Sequence, residues 1–129
     1  MAAPTPKTYT RQVIGFGISI WNAVWTDTNN LTDSVVVDLS AQTDGRTNTL
    51  IIDRIRYRCT AGIEFTLEFD ATSDEFLYTS VLGDVAWMDL QFDPPLVKTA
   101  AGATGDLVLT STSAADTDEV SLIVNYRAN

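Results

Sequence analysis

Alternating apolar and polar side chains dominate the middle of this 129-residue chain. Between Ile51 and Asp70 the apolar residues occupy mainly odd positions, while the even positions hold arginines first and then acidic residues and Thr. A period of two is typical of a half-buried β-strand, because successive side chains point to opposite faces. The pattern therefore predicts two consecutive strands, 51–59 and 63–70, each with an apolar inner face and a charged outer face.

The tripeptide Thr60-Ala61-Gly62 separates these two strands. A three-residue hairpin loop takes its last residue in the left-handed backbone conformation, which favours glycine. The sequence therefore predicts that the two strands form a β-hairpin. In that register Tyr57 would lie opposite Phe65 on the inner face, and Arg54 would lie opposite Glu68 on the outer face.

The rest of the chain contains further short segments with the same period and no convincing amphipathic helix. In total they predict about eight strands at roughly 8–12-residue spacing. We therefore expect an all-β fold, a two-sheet antiparallel β-sandwich with jelly-roll or Greek-key connections. Residues 12–129 are expected to form this single domain. Residues 1–11, which contain two prolines and little apolar surface, are expected to form an extended N-terminal arm.

Three local features lead to more specific expectations. In the strand that begins at Gln12, the isoleucines and Phe16 share one parity and predict the inner face, whereas glycines on the other parity predict a closely packed backbone or partner. A tight hairpin at Asp44-Gly45 would set Val37 against the arginine-bearing parity of the next strand, so a bulge or a crossing between sheets is expected there. Pro94-Pro95 is expected to end the strand that precedes it.

The residue composition excludes several classes of site. The chain contains no His and a single cysteine, Cys59, so it has no Ser-His-Asp or Cys-His arrangement, no usual zinc site and no intrachain disulfide. We expect no enzyme activity and no catalytic, metal-binding or cofactor-binding residue. The net charge of −9 disfavours binding to nucleic acid or to an anionic membrane. No apolar run is long enough to span a membrane, and no signal peptide is expected.

Charged and aromatic clusters leave alternatives open. The row of Arg54, Arg56 and Arg58 fits either an anion site or a solvated face neutralised by glutamates, and we favour the solvated face. Acidic residues in two loops (Asp70, Asp74 and Glu75; Asp116, Asp118 and Glu119) fit calcium ligands, a carboxylate pair for glycoside hydrolysis or ordinary turn residues, and we favour the turns. Three tryptophans fit either a sugar-binding platform or packing anchors, and we favour packing.

Residues for partner binding are predicted mainly in the arm. Pro4 and Pro6 lower the entropy lost when the arm is ordered against a partner, and Lys7 and Arg11 add local positive charge to an acidic protein. Trp21 lies on the glycine-bearing parity of its strand, where a partner is expected to pack. These five residues are the predicted contact set.

Two stretches resemble known proteins. Residues 48–74, NTLIIDRIRYRCTAGIEFTLEFDATSD, and residues 102–129, GATGDLVLTSTSAADTDEVSLIVNYRAN, are similar to small jelly-roll head-decoration, or cement, proteins of tailed bacteriophages. The resemblance implies a non-enzymatic virion structural protein that is made in the host cytoplasm and binds the capsid exterior. It also implies the major capsid protein and further copies of the chain, in a homo-oligomer with a trimer favoured, as partners. The alternative is a carbohydrate- or receptor-binding β-sandwich, such as a tail-fibre or tailspike module.

Overall fold

A computed structural model describes residues 7–13, 16–38, 50–80, 85–97 and 106–128 of the chain. These residues form nine β-strands and no helix: β1 Lys7–Val13, β2 Phe16–Val24, β3 Ser34–Val37, β4 Leu50–Cys59, β5 Glu64–Phe69, β6 Glu75–Thr79, β7 Val85–Val97, β8 Leu107–Thr112 and β9 Glu119–Ala128. A five-stranded sheet has the order β1-β2-β9-β4-β7, and a four-stranded sheet has the order β3-β8-β5-β6. All pairings are antiparallel, so the predicted two-sheet antiparallel β-sandwich is confirmed.

The strand pairings follow a nested pattern. Strand β2 pairs with β9, β3 with β8, β4 with β7 and β5 with β6, as in one long hairpin folded back on itself. Successive pairs alternate between the two sheets, and the additional pairings β4–β9 and β5–β8 join the pairs within each sheet. This nested, alternating order is the jelly-roll arrangement. The structure has one strand more than the eight predicted. This additional strand is β1, which forms an edge of the five-stranded sheet.

The core lies between the two sheets and takes its side chains from both. From the five-stranded sheet come Trp21, Ile55, Tyr57, Leu122, Val124 and Tyr126, and from the four-stranded sheet come Val37, Phe65, Leu67, Phe69, Leu107 and Leu109, all buried. The rings of Tyr57 and Phe65 meet edge to face, with centroids 5.0 Å apart and an interplanar angle of 87°. Such aromatic contacts add to the stabilisation from buried area alone.

The predicted hairpin between β4 and β5 is wrong. Strand β4 lies in the five-stranded sheet between β9 and β7, whereas β5 lies in the four-stranded sheet between β8 and β6. The turn after β4 therefore carries the chain from one sheet to the other, with Gly62 at a φ of +92°. Tyr57 and Phe65 do face each other, but across the core. The sequence register could not distinguish these arrangements, because both place the same parity of each strand inside.

The predicted inner face of β2 is also wrong. The buried residues are Ser19, Trp21 and Ala23, whereas Ile18 is 40% exposed. The reason lies in the neighbouring strand, where the ring of Tyr126 fills the space above Gly17. A Cβ added to that glycine would lie 2.2 Å from Tyr126 Cζ. The small residues of β2 therefore face inward because they accommodate a large aromatic side chain, not a partner protein.

Irregular strands account for two further outcomes. The registers of β4 with both neighbours shift between Ile52 and Arg54, which lets Ile52 and Ile55 both face the core. The bulge belongs to the pairings of β4 with β7 and β9, not to the hairpin considered at Asp44-Gly45, because β3 and β4 lie in different sheets. The chain therefore crosses between the sheets there, which is one of the two alternatives expected from the sequence. The expected strand end at Pro94-Pro95 is wrong, because β7 continues to Val97. As an edge strand, β7 can tolerate residues that lack an N–H.

Part of the predicted N-terminal arm forms a β-strand. Residues 1–6 lie outside the described part of the chain, but Lys7–Val13 form β1 and pair with β2, with Lys7 opposite Asn22 and Arg11 opposite Ile18. The second half of the predicted arm is therefore an edge strand of the sandwich. Within the described ranges, the chain forms no helix of the length and apolar character needed to cross a membrane.

Candidate functional site

The outer face of the five-stranded sheet carries arginines on two central strands. Residues Arg54, Arg56 and Arg58 of β4 and Arg127 of β9 alternate with buried residues and point away from the core. We call this surface the arginine face. Strand β9 separates β4 from β2, so Ile18 and Ile20 of β2 lie on the same face at one side, and Trp87 of β7 lies at the other.

Two of these arginines form ion pairs with carboxylates of the same sheet. The Nε of Arg54 donates to Asp89 Oδ1 at 2.8 Å, and its Nη2 donates to Asp89 Oδ2. Arg127 donates through Nε and Nη2 to both oxygens of Asp53, at 2.8 and 2.9 Å. The hydrogen bond from Arg54 holds the pKa of Asp89 below its ordinary value. The predicted partner of Arg54 was Glu68, which lies instead on the other sheet.

Arg56 differs from Arg54 and Arg127, which form ion pairs. Its Nε is buried and has no hydrogen-bond partner, and the same is true of Oδ1 of Asn125 on the adjacent strand. A buried polar atom without a partner costs about 1–3 kcal/mol relative to a satisfied one. Arg58, the next outward residue of β4, is exposed. The arginine face therefore contains one guanidinium whose hydrogen-bonding capacity is only partly used and another that is open to solvent.

Large apolar side chains are exposed beside these arginines. Ile18 is 40% exposed, Val24 is 54% exposed and Trp87 is 52% exposed. Apolar surface interleaved with charge is what a protein–protein contact uses, with aromatic residues and Arg as common anchors. Of the three tryptophans, Trp21 and Trp25 are fully buried, as favoured from the sequence, whereas Trp87 is available to a ligand or partner.

The four-stranded sheet has an acidic outer face. Glu64 and Glu68 of β5 point outward, and the loop residues Asp33 and Asp74 approach Glu68 so that one carboxylate oxygen of each of the three lies within 4.8 Å of the others. We call this surface, together with the exposed Val35 and Phe76, the acidic face. Burial, and the nearby charges of Asp74 and Asp33, raise the pKa of Glu68 above its ordinary value.

The carboxylate cluster was only partly visible in the sequence. Asp74 belongs to a predicted acidic loop, but its partners in space are Asp33 and Glu68. The pairings of β3 with β8 and of β8 with β5 bring the turn that contains Asp33 close to Glu68. No local sequence pattern indicates that approach. Three carboxylates supply at most six oxygens, the lower limit of the 6–8 ligands that Ca²⁺ takes in proteins, and reach that number only when all three bind bidentately.

The second predicted acidic loop has a structural role. Asp118 is buried, and its carboxylate accepts hydrogen bonds from the Ala115 N–H at 2.8 Å and from the Thr60 hydroxyl at 2.8 Å. The bond to Thr60 ties the turn before β9 to the turn after β4. Asp118 is therefore a turn residue, as favoured from the sequence, and its side chain is not directed toward a ligand.

The predicted contact residues do not form one site in the described part of the chain. Pro4 and Pro6 lie outside it. Lys7 and Arg11 belong to the edge strand β1. Trp21 is fully buried between the sheets, so its side chain is not available to a partner and its predicted contact role is wrong. The arginine face was visible in the sequence as a row of residues, but its apolar neighbours on β2 and β7 were not.

Comparison of the chain with protein-family models finds no matching family, and comparison with curated proteins finds no similar sequence.

Proposed function

We propose that the chain is a non-enzymatic virion structural protein that binds the exterior of a phage capsid and stabilises the head. Its partners in this role are the major capsid protein and further copies of the chain. The proposal starts from the resemblance of residues 48–74 and 102–129 to head-decoration proteins. Since a fold hosts many functions, the jelly-roll topology alone does not select this one.

The observation that carries the proposal is where the two resembling stretches lie. The first contains β4 and β5, and the second contains β8 and β9. Strand β4 pairs with β9 in one sheet, and β5 pairs with β8 in the other. The two stretches are separated in sequence, but they form the paired inner strands of both sheets. The resemblance therefore describes one contiguous structural unit, which supports a common framework.

Attachment to the capsid is assigned to the segment before β1. Pro4 and Pro6 lie in that segment, and Lys7 and Arg11 follow within β1. In the sequence this segment directly precedes β1, an edge strand of the sandwich. Ordering a proline-containing segment against a partner loses less chain entropy than ordering a flexible one. Positive charge close to it favours an acidic shell.

Binding to empty heads tests this function. The full chain is mixed with empty phage heads assembled without it, and the bound protein is measured by co-sedimentation and negative-stain imaging. A variant without residues 1–6 keeps all of β1, so its melting temperature should match that of the full chain while its binding weakens. Equal saturation by both proteins would make the segment passive. If the full chain does not bind heads, the decoration role is overturned.

Exposed Trp87 favours a second candidate, a carbohydrate-binding role. Its ring is half exposed, with the polar residues Asp89 and Gln91 following on the same face of β7. Aromatic rings with adjacent hydrogen-bonding groups suit sugar recognition. Glycan-array binding that is lost in Trp87→Ala and kept in Phe76→Ala, an exposed aromatic residue on the other sheet, would support this candidate over the first.

A further inference from the structure

The two sheets of the sandwich carry charges of opposite sign. The described strands contain six basic residues, and all belong to the five-stranded sheet: Lys7, Arg11, Arg54, Arg56, Arg58 and Arg127. The same sheet contains four acidic residues: Asp53, Asp89, Asp93 and Glu119. The four strands of the other sheet contain Glu64, Glu68 and Glu75 and no Lys or Arg. Within the described strands of a chain with a net charge of −9, the basic residues thus all belong to one sheet.

Exposed apolar side chains accompany both charged faces. On the arginine face they are Ile18, Val24, Trp87 and Val97, and on the acidic face they are Val35 and Phe76, the latter 63% exposed. Phe76 lies directly opposite Glu68 in the β5–β6 pairing, so an apolar and an acidic side chain are neighbours there. The acidic face therefore combines apolar area with acidic side chains alone, whereas the arginine face combines it with four arginines, of which Arg54 and Arg127 pair with acidic residues of the same sheet. The two faces complement each other through the remaining arginines, Arg56 and Arg58.

Hydrogen-bonding needs on the two faces are complementary as well. Arg56 has a buried Nε without an acceptor, and Arg58 is exposed. On the acidic face, three carboxylates crowd together at Glu68 without a basic residue among the described strands of that sheet. In a contact between two copies, the exposed guanidinium of Arg58 would pair with a carboxylate of the other copy, and the carboxylates at Glu68 would pair with one of its guanidinium groups. Arg–carboxylate pairs of this kind are strong and directional.

We propose that the chain self-associates head to tail, with the arginine face of one copy packed on the acidic face of the next. The contact is heterologous, because two different surfaces of the chain meet. Such a contact closes into a ring where the rotation between copies permits it and otherwise continues as a filament. The inference concerns the isolated chain and does not depend on binding to a capsid.

The net negative charge of the chain does not prevent this contact. At physiological ionic strength, interactions between exposed charges are screened beyond about 8 Å. Repulsion between the bulk of two copies is therefore weak at longer range, whereas Arg–Glu pairs in direct contact remain attractive. The same argument predicts that added salt weakens the association, because the contact relies partly on these pairs.

Charge reversal on each face separately provides the test. The first variant carries Arg56→Glu and Arg58→Glu, and the second carries Glu64→Arg and Glu68→Arg. Sedimentation velocity over a concentration series up to roughly 1 mM, where a Kd of that size gives clear association, should show oligomers for the unmodified chain. Each variant alone should associate at least about 10-fold more weakly. Asp116→Arg, in an exposed turn away from both faces, controls for a change in net charge and should associate like the unmodified chain.

Mixing the two variants distinguishes a specific contact from misfolding. The first variant keeps an intact acidic face and the second keeps an intact arginine face, so the mixture should associate although neither protein does so alone. A misfolded variant would not be rescued in this way, and circular dichroism of each variant checks its fold. An unmodified chain that stays monomeric, or variants that associate as well as it does, would overturn the proposal. So would a monomeric chain whose arginine face instead binds a single-stranded oligonucleotide.

Discussion

The two sheets of this sandwich contribute to the fold in different ways. In the four-stranded sheet, large aliphatic and aromatic side chains such as Phe65, Leu67 and Leu109 fill the inner face, and like charges meet on the outer face. In the five-stranded sheet, the inner face of β2 combines Gly17 and Ser19 with tryptophan, and the outer face contains ion pairs. The first sheet therefore depends mainly on apolar burial, together with buried serine hydroxyls such as that of Ser111, whereas the second also depends on fitted shapes and paired charges.

A buried hydrogen bond joins the inner faces of the two sheets at β2, the strand with small inward-facing residues. The hydroxyl of Ser19 on β2 donates a buried hydrogen bond of 2.6 Å to the backbone oxygen of Val36 on β3. Other contacts between the sheets include the edge-to-face contact of the Tyr57 and Phe65 rings and a hydrogen bond of 2.9 Å between the hydroxyls of Tyr57 and Tyr78. A small polar residue on an inner face can thus contribute to the packing of the two sheets. Substitutions on each sheet should therefore lower the free energy of unfolding by amounts that depend on the kind of contact removed.

The largest expected effect tests apolar burial in the four-stranded sheet. Leu67→Ala removes a fully buried side chain and should lower the free energy of unfolding by about 2–5 kcal/mol. Arg56→Ala, on the outer face of the other sheet, should lower it by roughly 0–1 kcal/mol. Denaturant unfolding of the dilute chain measures both. Equal losses of unfolding free energy from the two substitutions would show that buried and outer side chains contribute alike, which would contradict the assigned inner and outer faces.

The next effect tests fitted shape in the five-stranded sheet. Gly17→Ala places a Cβ against the buried ring of Tyr126 and should lower the unfolding free energy by about 1–3 kcal/mol. In a Tyr126→Ala background the same change should cost little, because the obstructing ring is absent. Thermal or denaturant melts of the four proteins give the coupling between the two sites.

Gly62→Ala serves as the matched control for that cycle. No other atom would lie within 4 Å of the new Cβ, but the backbone φ of +92° is unfavourable for alanine. The expected cost is about 1–2 kcal/mol and should be the same with or without the Tyr126 ring. A Gly17→Ala cost that Tyr126→Ala leaves unchanged would mean that the ring is not what excludes alanine at position 17.

Gly17 also explains where prediction from the sequence succeeded and where it failed. The alternation in β4 and β5 correctly indicated the inner parity of Tyr57 and Phe65, because each inner residue there is large and apolar. In β2, both parities carry apolar residues, and the choice depends on the space that Tyr126 needs more than a hundred residues along the chain. Local hydrophobicity therefore indicated the wrong face.

Strand partners were beyond local reasoning for a related reason. A glycine at position 62 with positive φ suits a tight hairpin and equally a turn between sheets, and Gly62 adopts this φ in the second kind of turn. The choice depends on the pairings of β4 with β9 and of β5 with β8, which join residues far apart in sequence. The same long-range pairings create the carboxylate cluster at Glu68, so the fold class was predictable and the cluster was not.

A smaller effect tests repulsion on the outer face of the four-stranded sheet. Burial and the charges of Asp74 and Asp33 raise the pKa of Glu68, so the folded chain holds this proton more tightly than the unfolded chain. The free energy of unfolding therefore falls as pH rises from the ordinary pKa range of Glu through the raised pKa of Glu68. It remains lowered at neutral pH. Glu68→Gln should raise the unfolding free energy at pH 7 by roughly 0–1 kcal/mol.

The pH dependence of that gain separates charge repulsion from better packing. Below the ordinary pKa range of Glu, the residue is protonated in both states, so the advantage of Gln should disappear. Glu64→Gln, on the same strand and face but outside the carboxylate cluster, should give a smaller gain at pH 7. Melts of the three proteins at several pH values measure this, and a gain at Glu68 that persists unchanged in acid would contradict the repulsion argument.

The smallest expected effect concerns calcium. Glu68, Asp33 and Asp74 together approach closely enough to contact one cation, yet a protein calcium site uses about 6–8 oxygens. Weak screening of three carboxylates should therefore be the only consequence of adding Ca²⁺, and melting curves recorded with EDTA and with millimolar Ca²⁺ should coincide. An equal ionic strength of Na⁺ controls for screening. A rise of many degrees in the melting temperature that is specific to Ca²⁺ and absent in Glu68→Gln would instead show that a bound ion relieves the repulsion in this sheet. Both outer faces would then have balanced charges, one through ion pairs between side chains and the other through a bound cation.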